Sequence, residues 1–232
     1  MYRYETHLHT SPVSRCASAT VREQLTYCKT LGFTGVFVTN HFVNGNTTTD
    51  LSLSHEKQME YYFSDYEAAL SIGKELDIQV LLGVEISYNG TDFLVYGLDK
   101  GWYIAHPEIL KLSTREMLAF FVEEGALVIH AHPYREAGYI DHIRLYPRSV
   151  HGVEVYNACR TDLENKMAEH YAKSYGLLPF AGSDNHHGSK QRTFGGMEFS
   201  APIVNEADFV RRVKAGEGTP LKGEISTPSC QP

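Results

Sequence analysis

No hydrophobic run in this 232-residue sequence approaches the roughly 20 residues that a membrane-spanning helix needs, which argues against a helical membrane protein. The first ten residues, MYRYETHLHT, carry no apolar segment of the secretory type, so no signal peptide is expected. Cysteine is sparse. Cys16, Cys28, Cys159 and Cys230 form no CxxC pair, which excludes a zinc ribbon and gives no reason to expect a disulfide framework. Positive charge is also in deficit, with 21 Lys and Arg against 28 Asp and Glu and a net charge of −7. A duplex nucleic acid is therefore not an expected partner, although bound cations could reverse the sign locally. There is no linker, low-complexity segment or internal repeat. The expectation is one reduced, cytoplasmic domain spanning 1–232.

The 42% hydrophobic and 21% charged fractions are those of an ordinary globule. Short β-rich apolar runs alternate with helical patterns, which favours an α/β fold with a parallel sheet. The pattern predicts strands at 2–8, 35–39, 79–84, 93–97, 127–131, 152–156 and 179–182. It predicts helices at 20–31, 55–76, 113–124, 162–175 and 205–215. Ser113 with Glu116 has capping-box spacing, and Thr20 and Asp162 are candidate N-caps. Runs such as VLLGVEI and LVIHA suit strands covered on both faces. The third and fourth strands are too close for a crossover helix, so a distorted seven-stranded (β/α)7 barrel fits better than regular repeating units.

Histidine is abundant, with 12 in the chain, and its placement is not scattered. The first strand ends in His7-Leu8-His9, whose i and i+2 side chains share a face. Alone, an HxH is a weak signal. Yet the second strand leads to Asn40-His41, the third to Glu85, the fifth to His130-Ala131-His132, and the seventh to Asp184-Asn185-His186-His187. Asp92 opens the fourth strand, and Glu154 lies on the sixth, before Asn157. In a βα barrel most of these positions fall on one rim, where active sites form. Imidazoles mixed with carboxylates suit Zn, Mn or Fe, and more ligands than four imply more than one ion. Two neighbouring ions are a common device for phosphoester hydrolysis, where they generate a hydroxide near neutral pH.

The motifs HLHT, TNH, GVE, HAHP and GSDNH, in this order, resemble the PHP (polymerase and histidinol phosphatase) superfamily over residues 4–186. The resemblance implies a distorted seven-stranded barrel, two or three divalent ions and phosphoesterase chemistry. It places His7, His9, Glu85 and Asp184 at a first metal position, Glu85 and His132 at a second, and His41 and His186 at a third. No polymerase region lies in the chain. Two departures stand out. Where many relatives carry a carboxylate or His shortly after the first motif, this chain reads Ser11-Pro12-Val13-Ser14-Arg15-Cys16. Cys16 is then either a substitute ligand or, more in keeping with unpaired cysteines, a buried thiol, and Arg15 could approach a phosphate. Asp92 stands where relatives often have His, so it is either a ligand or a turn residue.

The expected activity is hydrolysis of a small-molecule phosphomonoester. Arg135 and Arg160 are the first candidates for gripping its phosphate, ahead of Lys190 and Arg192. His41 and His186 are either third-position ligands or proton donors to the leaving oxygen. His130 is expected to orient a ligand and His187 to be exposed. The remaining histidines, His55, His106, His142, His151 and His170, are read as surface or helix residues. Competing readings are a phosphodiesterase or exonuclease on short nucleic acid, with Tyr88, Tyr134 or Tyr156 as stacking platforms, amide hydrolysis, or a non-catalytic metal-binding regulator. The 42–54 loop could contribute to substrate binding, and 226–232 reads as a loosely held end.

Overall fold

The computed structural model describes residues 1–88 and 90–225. The tail read as a loose end lies outside them. The elements run β1 (Tyr2–Leu8), α1 (Val21–Thr30), β2 (Gly35–Val38), α2 (His55–Tyr62), α3 (Ser64–Leu76), β3 (Gln79–Tyr88), β4 (Thr91–Tyr96) and α4 (Lys100–Ala105). After a 3-10 turn at Pro107–Lys111 come α5 (Thr114–Glu123), β5 (Leu127–Ala131), β6 (Gly152–Asn157), α6 (Asp162–Tyr175) and β7 (Leu178–Gly182). A second 3-10 turn, Gly188–Lys190, precedes β8 (Thr193–Phe199), α7 (Glu206–Lys214) and β9 (Thr219–Glu224).

Among the described residues the sheet has nine strands in the order β7-β6-β5-β4-β3-β2-β1-β8-β9, not the seven expected. Strands β1, β2, β3, β5, β6 and β7 share one direction, and β4 alone among them is reversed. The end of β1 meets the chain beyond β7 through the Leu8–Asn185 bridge, so the sheet curls into a nearly closed barrel. The two unforeseen strands, β8 and β9, form an antiparallel extension beyond β1. Their sequences, TFGGMEF and TPLKGE, carry glycines and polar residues instead of a β-branched run, and β9 stays largely exposed.

Reversal of β4 follows from its connection. Gly90, at φ +82°, directly precedes Thr91, whose pairing with Tyr88 begins the antiparallel ladder. Asp92 is therefore a buried strand residue paired with Ser87 and Ala131, not a turn residue, and it enters at the rim where the parallel strands end. The predicted 55–76 helix is two helices that break at Phe63, which is fully buried with Tyr62 against the neighbouring rings of Phe42 and Tyr103. Capping boxes start α1 at Thr20 and α5 at Ser113. The cap of α6 is Thr161, and Asp162, expected there, sits in the first turn, where its charge still favours the helix N-terminus.

Strand alternation sorts the core. Phe37, Leu81, Leu94, Tyr96, Ile129 and Phe180 join one cluster, sealed by Phe209 of α7. Burial of Phe209 contributes about 2 kcal/mol relative to leaving it exposed. Val84, Phe93, Val95 and Val128, of opposite parity on their strands, pack with α5 and its neighbours. Leu8, Val36 and Val38 pack against α1 and α3. The apolar cluster fills the barrel below a rim that carries Glu85 and Asp92, on the same strand faces as Leu81 and Leu94.

Candidate metal centre

The rim gathers the expected ligand-type residues around Glu85. His7 Nε2 lies 3.2 Å and His132 Nε2 3.3 Å from Glu85 Oε1, while His9 Nε2 lies 3.4 Å and His41 Nδ1 2.5 Å from Oε2. Asp184 Oδ1 is 3.5 Å from His7 Nε2, 3.3 Å from His9 Nε2 and 3.5 Å from His186 Nδ1. Three overlapping trios have ligand atoms within 4.8 Å of one another: His7, Glu85 and His132; His7, His9 and Asp184; and His9, His41 and His186. Asp92 stands just outside them, 3.8 Å from His132 Nε2, and faces Arg135 Nη2 at 3.0 Å.

Neighbouring side chains aim these groups. Glu154 Oε1 holds His7 Nδ1 at 2.8 Å, and its Oε2 accepts from the His132 amide at 3.0 Å and from Asn157 Nδ2 at 3.0 Å. Asn157 Nδ2 also reaches Asp184 Oδ2 at 3.3 Å. Ser14 donates to Asn40 Oδ1, so it accepts from His9 Nδ1 at 3.1 Å. His186 Nδ1 donates to the Asp184 carbonyl at 2.8 Å. Both His7 and His9 are thereby left with Nε2 facing inward, 3.1 Å apart. Lone pairs and carboxylate oxygens converge there, and only a proton or a cation between them relieves the repulsion. The residues fit divalent ions on this ground. Glu154, Asn157 and Ser14 had no role assigned from sequence, because their contacts depend on strand register and on a loop fold.

Two candidate ligands sit in the left-handed backbone region, His132 at φ +26° and Asp184 at φ +53°. Such conformations cost about 1–3 kcal/mol each and cluster at functional sites. Gly182 is required by close approach: a Cβ there would lie 2.4 Å from the His7 Cβ and 2.6 Å from Glu154 Oε1.

The electrostatics follow from burial and crowding. Burial disfavours charge on His7, but Glu154, Asp184 and Glu85 outweigh it and hold its pKa well above the usual value. His9 is pushed the other way, by burial and by His186 and His41. Burial opposes ionisation of Glu85, yet His41 and His7 keep it well below the usual carboxylate range. Asp184 behaves alike, with His7 and His9 overcoming burial. Glu5 lies behind the cluster, fully buried, accepting from the His7 and Ser183 amides. Burial raises it to about 7 despite those bonds.

A cavity of about 530 Å³ opens over the cluster, within the range of small-molecule sites. Arg135 and Arg160 line it, and each has a buried Nε without a hydrogen-bond partner. Asn44 and Asn46, from the 42–54 loop, and Tyr139 line it too. Cys16 lines it as well, exposed and on the same cavity as His41 and His186, so the buried-thiol expectation fails. Burial would raise this thiol, but the two imidazoles outweigh it and bring it down to about 6.

Other expectations are corrected. Arg15 gives its guanidinium to the Thr47 carbonyl at 3.0 and 2.8 Å, and so ties down a loop. Arg192 bonds the Ile225 carbonyl, and Lys190 lines a separate cleft with His187. His130 orients no ligand: it stacks on Phe93 with centroids 5.0 Å apart, and neither ring nitrogen has a partner. It faces away from His132 because that residue lies beyond the strand end, where alternation stops. Tyr134 packs against Tyr171 instead of joining a stacking track at the cavity.

No family profile and no curated protein matches the sequence. The fold, however, is found in solved structures. The chain superposes with TM-score 0.70 and 12% identity on a two-domain protein from Bacteroides vulgatus containing a predicted PHP-like metal-dependent phosphoesterase, covering 95% of this chain but 64% of that one. This chain thus spans slightly less than two thirds of that protein. A Bifidobacterium adolescentis protein, described as a candidate metal-dependent phosphoesterase, matches at TM-score 0.56 and 15% identity over 80% of this chain and 88% of its own. An amidohydrolase from Chromobacterium violaceum, solved with sulfate and no metal, matches at 0.56 and 15% over 92% and 96%. The protein therefore has the fold of PHP-like metal-dependent hydrolases. No helix among the described residues is long and apolar enough to cross a membrane.

Proposed function

We propose that the protein is a PHP-superfamily phosphoesterase that hydrolyses a small-molecule phosphomonoester, using two or three divalent ions of the Zn, Mn or Fe type. The observation that carries this reading is the pairing of the His–carboxylate cluster with Arg135 and Arg160 in one cavity of about 530 Å³. Their unpartnered Nε groups supply donors suited to phosphoryl oxygens. In this reading His7, His9, His41, Glu85, His132, Asp184 and His186 hold the ions. When bound, these supply Lewis acidity and an activated water for attack on phosphorus.

The chain's own groups do the rest. Arg135 and Arg160 bind and orient the phosphate. Asp92 keeps Arg135 in place and stands close enough to His132 to join the second position. Glu154 fixes the His7 ring and the His132 backbone. The absence of a stacking track among the residues lining the cavity weighs against a nucleic-acid diester as substrate. Three unpaired described cysteines support a reducing, cytoplasmic setting.

Phosphate release from histidinol phosphate, mononucleotides and sugar phosphates, with Mn²⁺ or Zn²⁺ and with chelator, tests the proposal. Chelator-sensitive release is expected. Its absence from metal-loaded protein across the panel sinks the phosphomonoesterase reading. Amide hydrolysis, which the Chromobacterium amidohydrolase with the same fold brings into view, is then tested next.

A further inference from the structure

The three trios of the metal centre differ in charge. Two contain a carboxylate, Glu85 in one and Asp184 in the other, whereas the third consists of three imidazoles, His9, His41 and His186. Their rings lie close, with centroids 4.2 Å apart for His9–His41 and 4.1 Å for His9–His186. His41 is buried, and its Nδ1 lies 2.5 Å from Glu85 Oε2 without hydrogen-bond geometry. Cys16 lines the cavity together with His41 and His186, exposed beside them.

The segment carrying Cys16 is held on both sides. The Ser14 amide donates to the Thr10 carbonyl, and the Ser14 hydroxyl accepts from His9 and from the His41 amide. The Arg15 amide donates to the Asn46 carbonyl while its guanidinium grips Thr47. The Ala17 amide closes a turn onto the Ser14 carbonyl. These bonds fix the backbone next to Cys16 relative to His9 and His41, which is what a ligand needs and what a bystander surface thiol does not.

We propose that Cys16 is a metal ligand through its sulfur, completing the His9–His41–His186 position with a negative charge. The proposal rests on the metal-centre reading above and deepens it. Coordination forms a sulfur–metal bond and releases the thiol proton to solvent, with no change in oxidation state. A thiolate beside three imidazoles is a soft set that favours Zn or Co over Mn and Mg. The three positions would then differ in metal preference, the carboxylate-bearing ones accepting harder ions.

Cobalt(II) is the probe, because thiolate–cobalt coordination gives a near-ultraviolet charge-transfer band that imidazole and carboxylate ligands do not. The full chain, stripped and titrated with Co²⁺, is expected to show this band together with visible ligand-field absorption. Cys16→Ser is expected to lose the band and keep the visible absorption of the other ions. Cys159→Ser is expected to keep both, although that thiol bonds the Asp184 carbonyl nearby. Cys16→Asp is expected to bind as many ions as the parent without the band, and to accept Mn²⁺ more readily. Equal thermal melts of the apo-proteins show that the variants are folded. Cobalt binding without a charge-transfer band in the parent, or a band undiminished in Cys16→Ser, overturns the proposal while leaving the metal centre standing. No cobalt binding at all overturns both.

Discussion

Arg135 Nη2 lies 3.0 Å from the buried carboxylate of Asp92, and that carboxylate is 3.8 Å from His132 Nε2. One acidic side chain thus faces both a candidate phosphate grip and a candidate metal ligand. Arg135 also lies over Tyr139, 5.8 Å from the ring centroid. Removing either partner should therefore have different consequences, which makes the pair a useful probe of the site.

Arg135→Ala is expected to raise KM for a phosphomonoester by roughly tenfold or more, the scale of one lost hydrogen bond to a charged group. KM for an uncharged ester should move much less. Steady-state kinetics on both substrates check this, and equal effects would remove the phosphate role. Asp92→Asn should raise the same KM less, because the guanidinium remains but loses its anchor.

His9→Ala and Asp184→Ala are expected to bring hydrolysis to background with the fold retained. The buried polar cluster loses a ligand in each case, whereas the apolar core below it is untouched. Metal analysis, circular dichroism and phosphate release together decide. Full activity in either variant would reject its place in the centre.

Glu154→Gln tests orientation instead of ligation. Glu154 holds His7 Nδ1 and the His132 amide. Losing such support typically costs about 10–100-fold in metal affinity or activity. Competition with a fluorescent chelator should show weakened binding, with activity recovering at high metal concentration. Unchanged affinity would mean that His7 is positioned by other contacts.

The stability of the metal-free protein should carry a signature of Glu5. Its folded pKa is raised from 4.5 to about 7 by burial, against the pull of its hydrogen bonds to Ser183 and His7. A group raised on folding favours the native state fully below the unfolded pKa and loses that contribution as pH rises through the folded value. The window is therefore about pH 4.5 to 7, and the loss is about 3 kcal/mol. Glu5→Gln keeps an acceptor for the two amides but cannot ionise. Urea melts across this window should show the variant gaining on the parent as pH rises, whereas parallel curves would rule out a raised Glu5.

The strand positions β1 to β7 were legible because each is a short apolar or β-branched run bounded by turn residues, with β1 and β5 recovered to the residue. The rim was legible for a related reason. His7 lies in the last two residues of β1, and His9, His41, His132, Asp184 and His186 follow strand ends, which a barrel brings together whatever the details of packing. The roles of the residues that aim those ligands were not legible. Glu154 and Asn157 act through the register of β6 against its neighbours, and Ser14 through a loop bonded to Asn40. Strand alternation would put His130 and His132, two residues apart, on one face, and the positive φ of His132 breaks that alternation.

What the sequence by itself determined about this protein is its inventory and order: a βα-rich chain with histidines and carboxylates placed at strand ends and no thiolate zinc motif. What only the tertiary structure decided is partnership. It reversed β4 so that Asp92 meets Arg135, extended the sheet with β8 and β9, and turned Cys16 from an expected buried thiol into a neighbour of His41 and His186. The physical reason is that spacing along a strand sets which face a side chain takes, whereas contact between segments far apart in sequence depends on register, turn geometry and the packing of the core beneath.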